Sequence, residues 1–168
     1  MVKKIFLLLL AIGVLAGGVY WFIESRNEEA KIRRTLKNLC ETASKPMGES
    51  AAAGMLKIQR LDKFVAPKFR LNVNHGMLDG EMTPAELSAN IARYRPMVRW
   101  LTISMQNTEI TVSEDGKTAN VSFTGTLLAV TKKTGSRVNE VRDLCAVLQK
   151  TDSGWLVTEL AINDILEK

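Results

Sequence analysis

Few side chains in this sequence are placed to do chemistry. Its single histidine, His75, falls in Asn74-His75-Gly76. Histidine moves protons and binds metals near neutral pH. Here no Cys, Asp or Glu stands around it at ligand spacing, so it reads as a surface turn residue. Asp143 is of more interest. In an alternating stretch it shares a face with Val141, Cys145 and Val147. A carboxylate on an apolar strand face needs a partner or a purpose, because burial raises its pKa and fits it to carry protons. The ordinary alternative is an edge position, solvated or paired with an arginine. Cys40 and Cys145 are the two cysteines of the chain. An even count in an oxidising compartment points to a Cys40–Cys145 disulfide, with two separate buried thiols as the alternative. No nucleophile elbow, phosphate loop, zinc-binding helix or Cys-x-x-Cys pair occurs, so no metal or cofactor is expected.

Where these residues work depends on IFLLLLAIGVLAGGVYWFI, Ile5 to Ile23, which carries no charge. At about 1.5 Å per residue the run is roughly 28 Å of helix, close to the hydrocarbon thickness of a bilayer. A signal-peptide core is shorter, about 7–15 residues. The run also continues past Ala16-Gly17-Gly18, the one plausible cleavage site, to Tyr20 and Trp21, whose rings suit a membrane boundary. The expectation is an uncleaved anchor at 5–23, behind a basic tail at 1–4 and ahead of a juxtamembrane segment at 24–30. Gly13 and Gly17 make a G-x-x-x-G stretch, which lets two membrane helices pair closely. Basic residues flank both ends of the run, so the positive-inside rule does not decide its direction. Lys3 and Lys4, however, form the short basic tail that export machinery reads, which gives an N-inside orientation with the domain outside the cytoplasm. In a bacterium that is the periplasmic side of the inner membrane. Lys31, Arg33, Arg34 and Lys37 follow the anchor. They either touch anionic headgroups or form a solvated helix face beside Glu28 and Glu29.

Residues 28–168 are enough for one domain with a real core. The net charge is +5, but basic and acidic residues are interleaved, and only 6% of the chain is aromatic. That argues against nucleic acid as a partner, since no basic stripe with stacking rings is present.

Periodicity supplies the elements. Ile32, Leu36, Leu39, Cys40 and Ala43 lie on one face of a helix ended by Ser44-Lys45-Pro46. A second helix is expected from about Ser50 to Val65, with Met55, Ile58, Leu61 and Val65 inward. Phe69, Leu71 and Val73 then alternate as a strand. Asn74-His75-Gly76 and Asp79-Gly80 are turns. Thr83-Pro84-Ala85-Glu86 combines an N-cap, a proline at the first helical position and a capping box. Its helix should face Leu87, Ile91 and Tyr94 inward. From Leu101 on, the sequence is strands and tight turns, an antiparallel meander that the helices must cover on one face.

Three helices, an early strand and then a meander with the cadences EDGKTANVSFTGTLLA and LQKTDSGWLVTELAI resemble the nuclear transport factor 2-like superfamily, also called SnoaL-like or cystatin-like. The resemblance covers roughly residues 28–165. It implies an α+β cone, with three helices held against a curved antiparallel sheet. A single anchor ahead of such a domain is also similar to the inner-membrane assembly subunit of type IV secretion systems. Enzymes of the superfamily hold a carboxylate inside the cone, often beside a Tyr or His. The positions this implies here are Asp143, Glu159 and Tyr94.

Two functions are therefore open. The first is a non-enzymatic, membrane-anchored assembly domain that holds a protein partner, or a second copy of itself, at the cell envelope. The alternative is a pocket for a small molecule, with binding or isomerase- or hydro-lyase-like chemistry inside the cone. Convergence of Asp143, Glu159 and Tyr94 on an open cavity would favour the second, and a cavity filled by apolar side chains would favour the first.

Overall fold

A computed structural model describes residues 27–73 and 80–165. The expected anchor at 5–23, Gly13 and Gly17 within it, and His75 lie outside the described residues. Among the described residues, no helix is long and apolar enough to cross a membrane.

Helix α1 spans residues 27–43. Its inward stripe buries Ile32 and Leu36 in the core. The helix stops where the Ser44 hydroxyl turns back to the Cys40 carbonyl at 2.7 Å. Lys45 then exchanges two backbone hydrogen bonds with Leu101, at 2.7 and 2.8 Å. Helix α2, Ala51–Ile58, is capped by the Ser50 side chain on Ala53 N–H and runs into a 3-10 turn, Gln59–Lys63.

The second helix is shorter than expected. Val65 opens a strand, β1 (Val65–Val73), instead of closing the helix. Residue 66 precedes a proline and is pushed to extended backbone. The Val157 N–H bonds to the Phe64 carbonyl at 2.8 Å, which draws the chain into the sheet. Met55, expected inward, is 51% exposed. The helix instead buries Gly54 and Ile58. A short strand, β2 (Gly80–Met82), precedes helix α3, Pro84–Tyr94. The capping box of Thr83 and Glu86 is formed in full, with Glu86 Oε2 accepting from Thr83 N–H at 2.7 Å.

The meander is β3 (Val98–Val112), β4 (Thr118–Thr131), β5 (Arg137–Thr151) and β6 (Gly154–Ile165). The sheet order is β2-β1-β6-β5-β4-β3. The meander pairs are antiparallel, while β1 joins β6 in parallel, with an irregularity between Val65 and Arg70 that accommodates Pro67. Asn107, at φ 49°, sits in a bulge of β3 where the pairing slips between Gln106 and Glu109. Such bulges bend a strand and deepen its twist, and here the sheet curves around α1 and α3. Its inner face packs Val121, Phe123, Leu148, Trp155 and Val157 against Ile32 and Leu36. Burying each of these large apolar side chains contributes about 1.5–3 kcal/mol.

Candidate functional site

The inner face of the sheet is not filled along its whole length. Around Ile32, Ala119, Val121, Leu148 and Trp155 the side chains close into a dry core. Toward the other end a cavity of about 330 Å³ remains. From α1 it is lined by Leu39, Cys40 and Ala43, and from α3 by Leu87 and Ile91. The sheet contributes Phe123, Leu144, Leu160 and Ile162. Small residues leave this room. Ala43 offers only a methyl, and Gly125 nothing, so Leu144 lies across Gly125.

Among the described lining residues two are charged, Glu140 and Arg142. They occupy successive inward positions of β5, since alternate residues of a strand share a face. Glu140 Oε2 accepts from Arg142 Nη2 at 3.3 Å and from Nε at 3.4 Å. Their side chains are 50% and 32% exposed, which places them at the mouth. Across the ladder Arg142 faces Gly125, and Glu140 faces Leu127. The arrangement is an almost wholly apolar chamber with one ion pair at its rim, and Ser104 and Thr126 are also among its lining. Cys40 also lines the chamber, and burial, with a smaller push from Glu41, raises its thiol pKa to about 11.

Among the described residues, buried charged side chains also lie elsewhere. Arg95 is 7% exposed and grips the Glu49 carboxylate at 2.6 to 2.9 Å. It also donates to the carbonyls of Ala43 and Ser44, which closes the end of α1. Beside it another cavity of about 320 Å³ is lined by Lys45, Met55 and Lys132, among others. Glu28 is 5% exposed and accepts from Trp155 and Lys31. Among the described residues, no group of three or more His, Cys, Asp or Glu is placed to hold a metal ion.

No family model matches the sequence, and no curated protein does. Solved structures do match. A nuclear transport factor 2-like superfamily protein from Salmonella enterica superposes with a TM-score of 0.65 at 12% identity, covering 86% of this chain and 95% of its own. A protein with a cystatin-like fold from Novosphingobium aromaticivorans gives 0.67 at 13% identity, over 89% and 88%. A candidate dehydratase of the nuclear transport factor 2-like family from Streptomyces avermitilis gives 0.63 at 13%, over 84% and 99%. This chain has the nuclear transport factor 2-like fold. At such identities the likeness carries the fold alone.

Within this nuclear transport factor 2-like cone, Asp143, Glu159 and Tyr94 do not converge. None of the three lines the cavity. On β5 the even-numbered residues point in, so Asp143 lies on the outer face, where its carboxylate accepts from the Thr124 hydroxyl at 3.1 Å. Glu159 pairs across the ladders with Val147 and Arg70. The slip of the β5–β6 pairing between Val147 and Leu148 lets Val157 and Leu160 both face inward, with Glu159 outward. Tyr94 ends α3 and is 42% exposed. The expected Cys40–Cys145 disulfide is also absent. Cys40 is a free thiol inside the cone, whereas Cys145 is an exposed residue of the outer face. The sheet itself lies between them.

The pair that does reach the cavity, Glu140 and Arg142, continues the face of Leu144, Ala146 and Leu148. Extending that alternation back by two and four positions would have found it. The basic cluster of α1 is split. Lys31 is bound to Glu28 at 2.8 Å, and the Arg33 guanidinium reaches the Thr108 carbonyl at 3.4 Å.

Proposed function

We propose that this domain binds a small, predominantly apolar molecule in the open end of its cone, and that residues 5–23 tether it to a membrane with the domain outside the cytoplasm. The cavity carries the reading. Its volume lies at the lower end of the range of ligand pockets, roughly 300–1,000 Å³. Its walls are apolar, with few polar side chains and one ion pair, the pattern of a small-molecule pocket. The description of the Streptomyces avermitilis neighbour as a candidate dehydratase agrees with a cone that holds a small molecule. An assembly domain needs the cone only as a scaffold and leaves the open chamber unexplained. The described lining offers one carboxylate, Glu140, already engaged by Arg142. This favours holding a ligand over moving a proton.

The test uses the full chain in lipid nanodiscs, with naphthalene as the probe. Ligand that binds only the folded state raises its stability. Naphthalene should raise the melting temperature, and Ala43→Phe, which fills the chamber from α1, should abolish the rise while the protein stays folded. No rise in the unaltered protein overturns the proposal. The tether is tested separately. The chain should remain with membranes after an alkaline carbonate wash, and its release would remove that part of the proposal.

A further inference from the structure

The rim pair narrows the class of ligand, given the reading above. Glu140 and Arg142 are the charged groups of the described lining, and they cancel. An ion entering such a mouth would leave water and gain one favourable neighbour and one unfavourable one, which repays little of its desolvation. A neutral head with an acceptor and a donor side by side faces no such penalty. The guanidinium is donor only and the ionised carboxylate acceptor only, so the pair is complementary to that head.

The pair is also free to change partners. Its contacts of 3.3 and 3.4 Å are longer than the roughly 2.7–2.9 Å of a close charge-assisted bond. On the β4 side its neighbours are Gly125 and Leu127, neither of which competes for its polar atoms. A head seated between the two charges would put the ligand body against Phe123 and Leu144.

We infer that the cavity selects an uncharged molecule with an apolar body and a single head that accepts a hydrogen bond from Arg142 and donates one to Glu140, as a primary amide does. The experiment measures affinities by calorimetry on the full chain in nanodiscs, with empty nanodiscs subtracted. The probes share one ring system: naphthalene, 2-naphthamide, 2-naphthoate and 2-(aminomethyl)naphthalene. The amide should bind roughly tenfold or more tightly than either ion, since each ion meets a like charge beside its partner at the mouth and the amide meets none. Glu140→Gln leaves the mouth positive and should move the preference to naphthoate. Arg142→Gln leaves it negative and should move the preference to the amine. Wild-type affinities that are equal across the three heads, or highest for an ion, overturn the inference, and this ranking needs no variant to fold. Preferences that stay put in both folded variants overturn it too. If naphthalene binds without any preference among heads, the ligand-binding reading stands and this inference fails. If none of the four binds, the ligand-binding reading itself falls.

Discussion

Trp155 donates its indole N–H to Glu28 Oε2 at 2.7 Å, joining residues 127 positions apart. Lys31 and Lys150 reach the same carboxylate at 2.8 and 3.3 Å. The first turn of α1 is thereby fastened to the β5–β6 hairpin, at the closed end of the cone. A buried carboxylate persists only when its acceptor sites are met, and here an indole and two ammonium groups meet them.

Trp155→Phe keeps an aromatic ring, smaller than the indole, and removes the N–H. It should cost about 1–3 kcal/mol of unfolding free energy, the usual penalty for leaving a buried polar group short of a partner. Denaturant unfolding of Trp155→Phe, Glu28→Gln and the double variant measures it. The double variant should lose less than the two single losses added together. Strict additivity would show that the bond contributes nothing.

The same carboxylate should make the fold acid-sensitive. Burial pushes the Glu28 pKa up, but hydrogen bonds from Lys31, Trp155 and Lys150 outweigh it and hold the folded value below 4.5. A group whose folded pKa is depressed adds stability that is fully present above its unfolded value and is lost as the pH falls through the folded one. The stability advantage of wild type over Glu28→Gln should therefore hold at neutral pH and shrink below about pH 4.5. An advantage that grows in acid would contradict this assignment.

Arg95 and Glu49 form an ion pair in which both side chains are 7% exposed. Arg95→Met leaves the Ala43 carbonyl without that donor and leaves the buried Glu49 carboxylate with Lys57 at 3.9 Å, while the Ser44 carbonyl keeps Lys57 Nζ at 2.9 Å. Removing one partner of a buried pair typically costs about 3–5 kcal/mol. Thermal unfolding should show this large loss for Arg95→Met and a smaller one when Glu49→Met is added. A loss within the range of a surface substitution would remove Arg95 from its structural role.

Local signals in the sequence suffice where one element decides its own geometry. The capping box at Thr83–Glu86 and the alternation of Phe69, Leu71 and Val73 depend on neighbours a few residues away. The failures come from distant partners. Val65 continues the helical spacing from Leu61, yet the parallel pairing of β1 with β6 claims it. The slip in the β5–β6 pairing breaks the alternation that would have sorted Glu159 from Leu160. Glu140 and Arg142 look like ordinary surface charges because the mouth of a cone is partly solvated. Asp143 looked buried because the outer face of the sheet carries Val141 and Val147 beside it.

Cys40 provides a chemical probe of the chamber. Its pKa of about 11 reflects burial first and the nearby Glu41 second. Because the thiolate is the reactive form, alkylation of Cys40 should be slow at pH 8 and still be accelerating at pH 10. A ligand in the cavity should slow it further. Mass spectrometry of a Cys145→Ser variant reads Cys40 alone. Rapid labelling at pH 8, insensitive to naphthalene, would place the thiol outside the cavity.

Gly125 gives the sharpest separation between fold and site. It lies on the inner face of β4, opposite Arg142, and a Cβ there would run into Leu144 Cδ1. That atom is the end of a flexible side chain, so Leu144 can swing away. The space available to it is the cavity, which it already lines. Gly125→Ala should consequently leave the domain folded, since alanine suits a strand better than glycine does, while Leu144 moves into the chamber and takes up ligand space. Naphthalene affinity should fall by about tenfold or more, as expected when an apolar group loses its pocket. Gly125→Ala combined with Leu144→Ala should restore binding by removing the displaced side chain. Calorimetry on the three proteins decides it. Unchanged affinity in Gly125→Ala would mean that the ligand does not occupy the end of the chamber beside the rim pair.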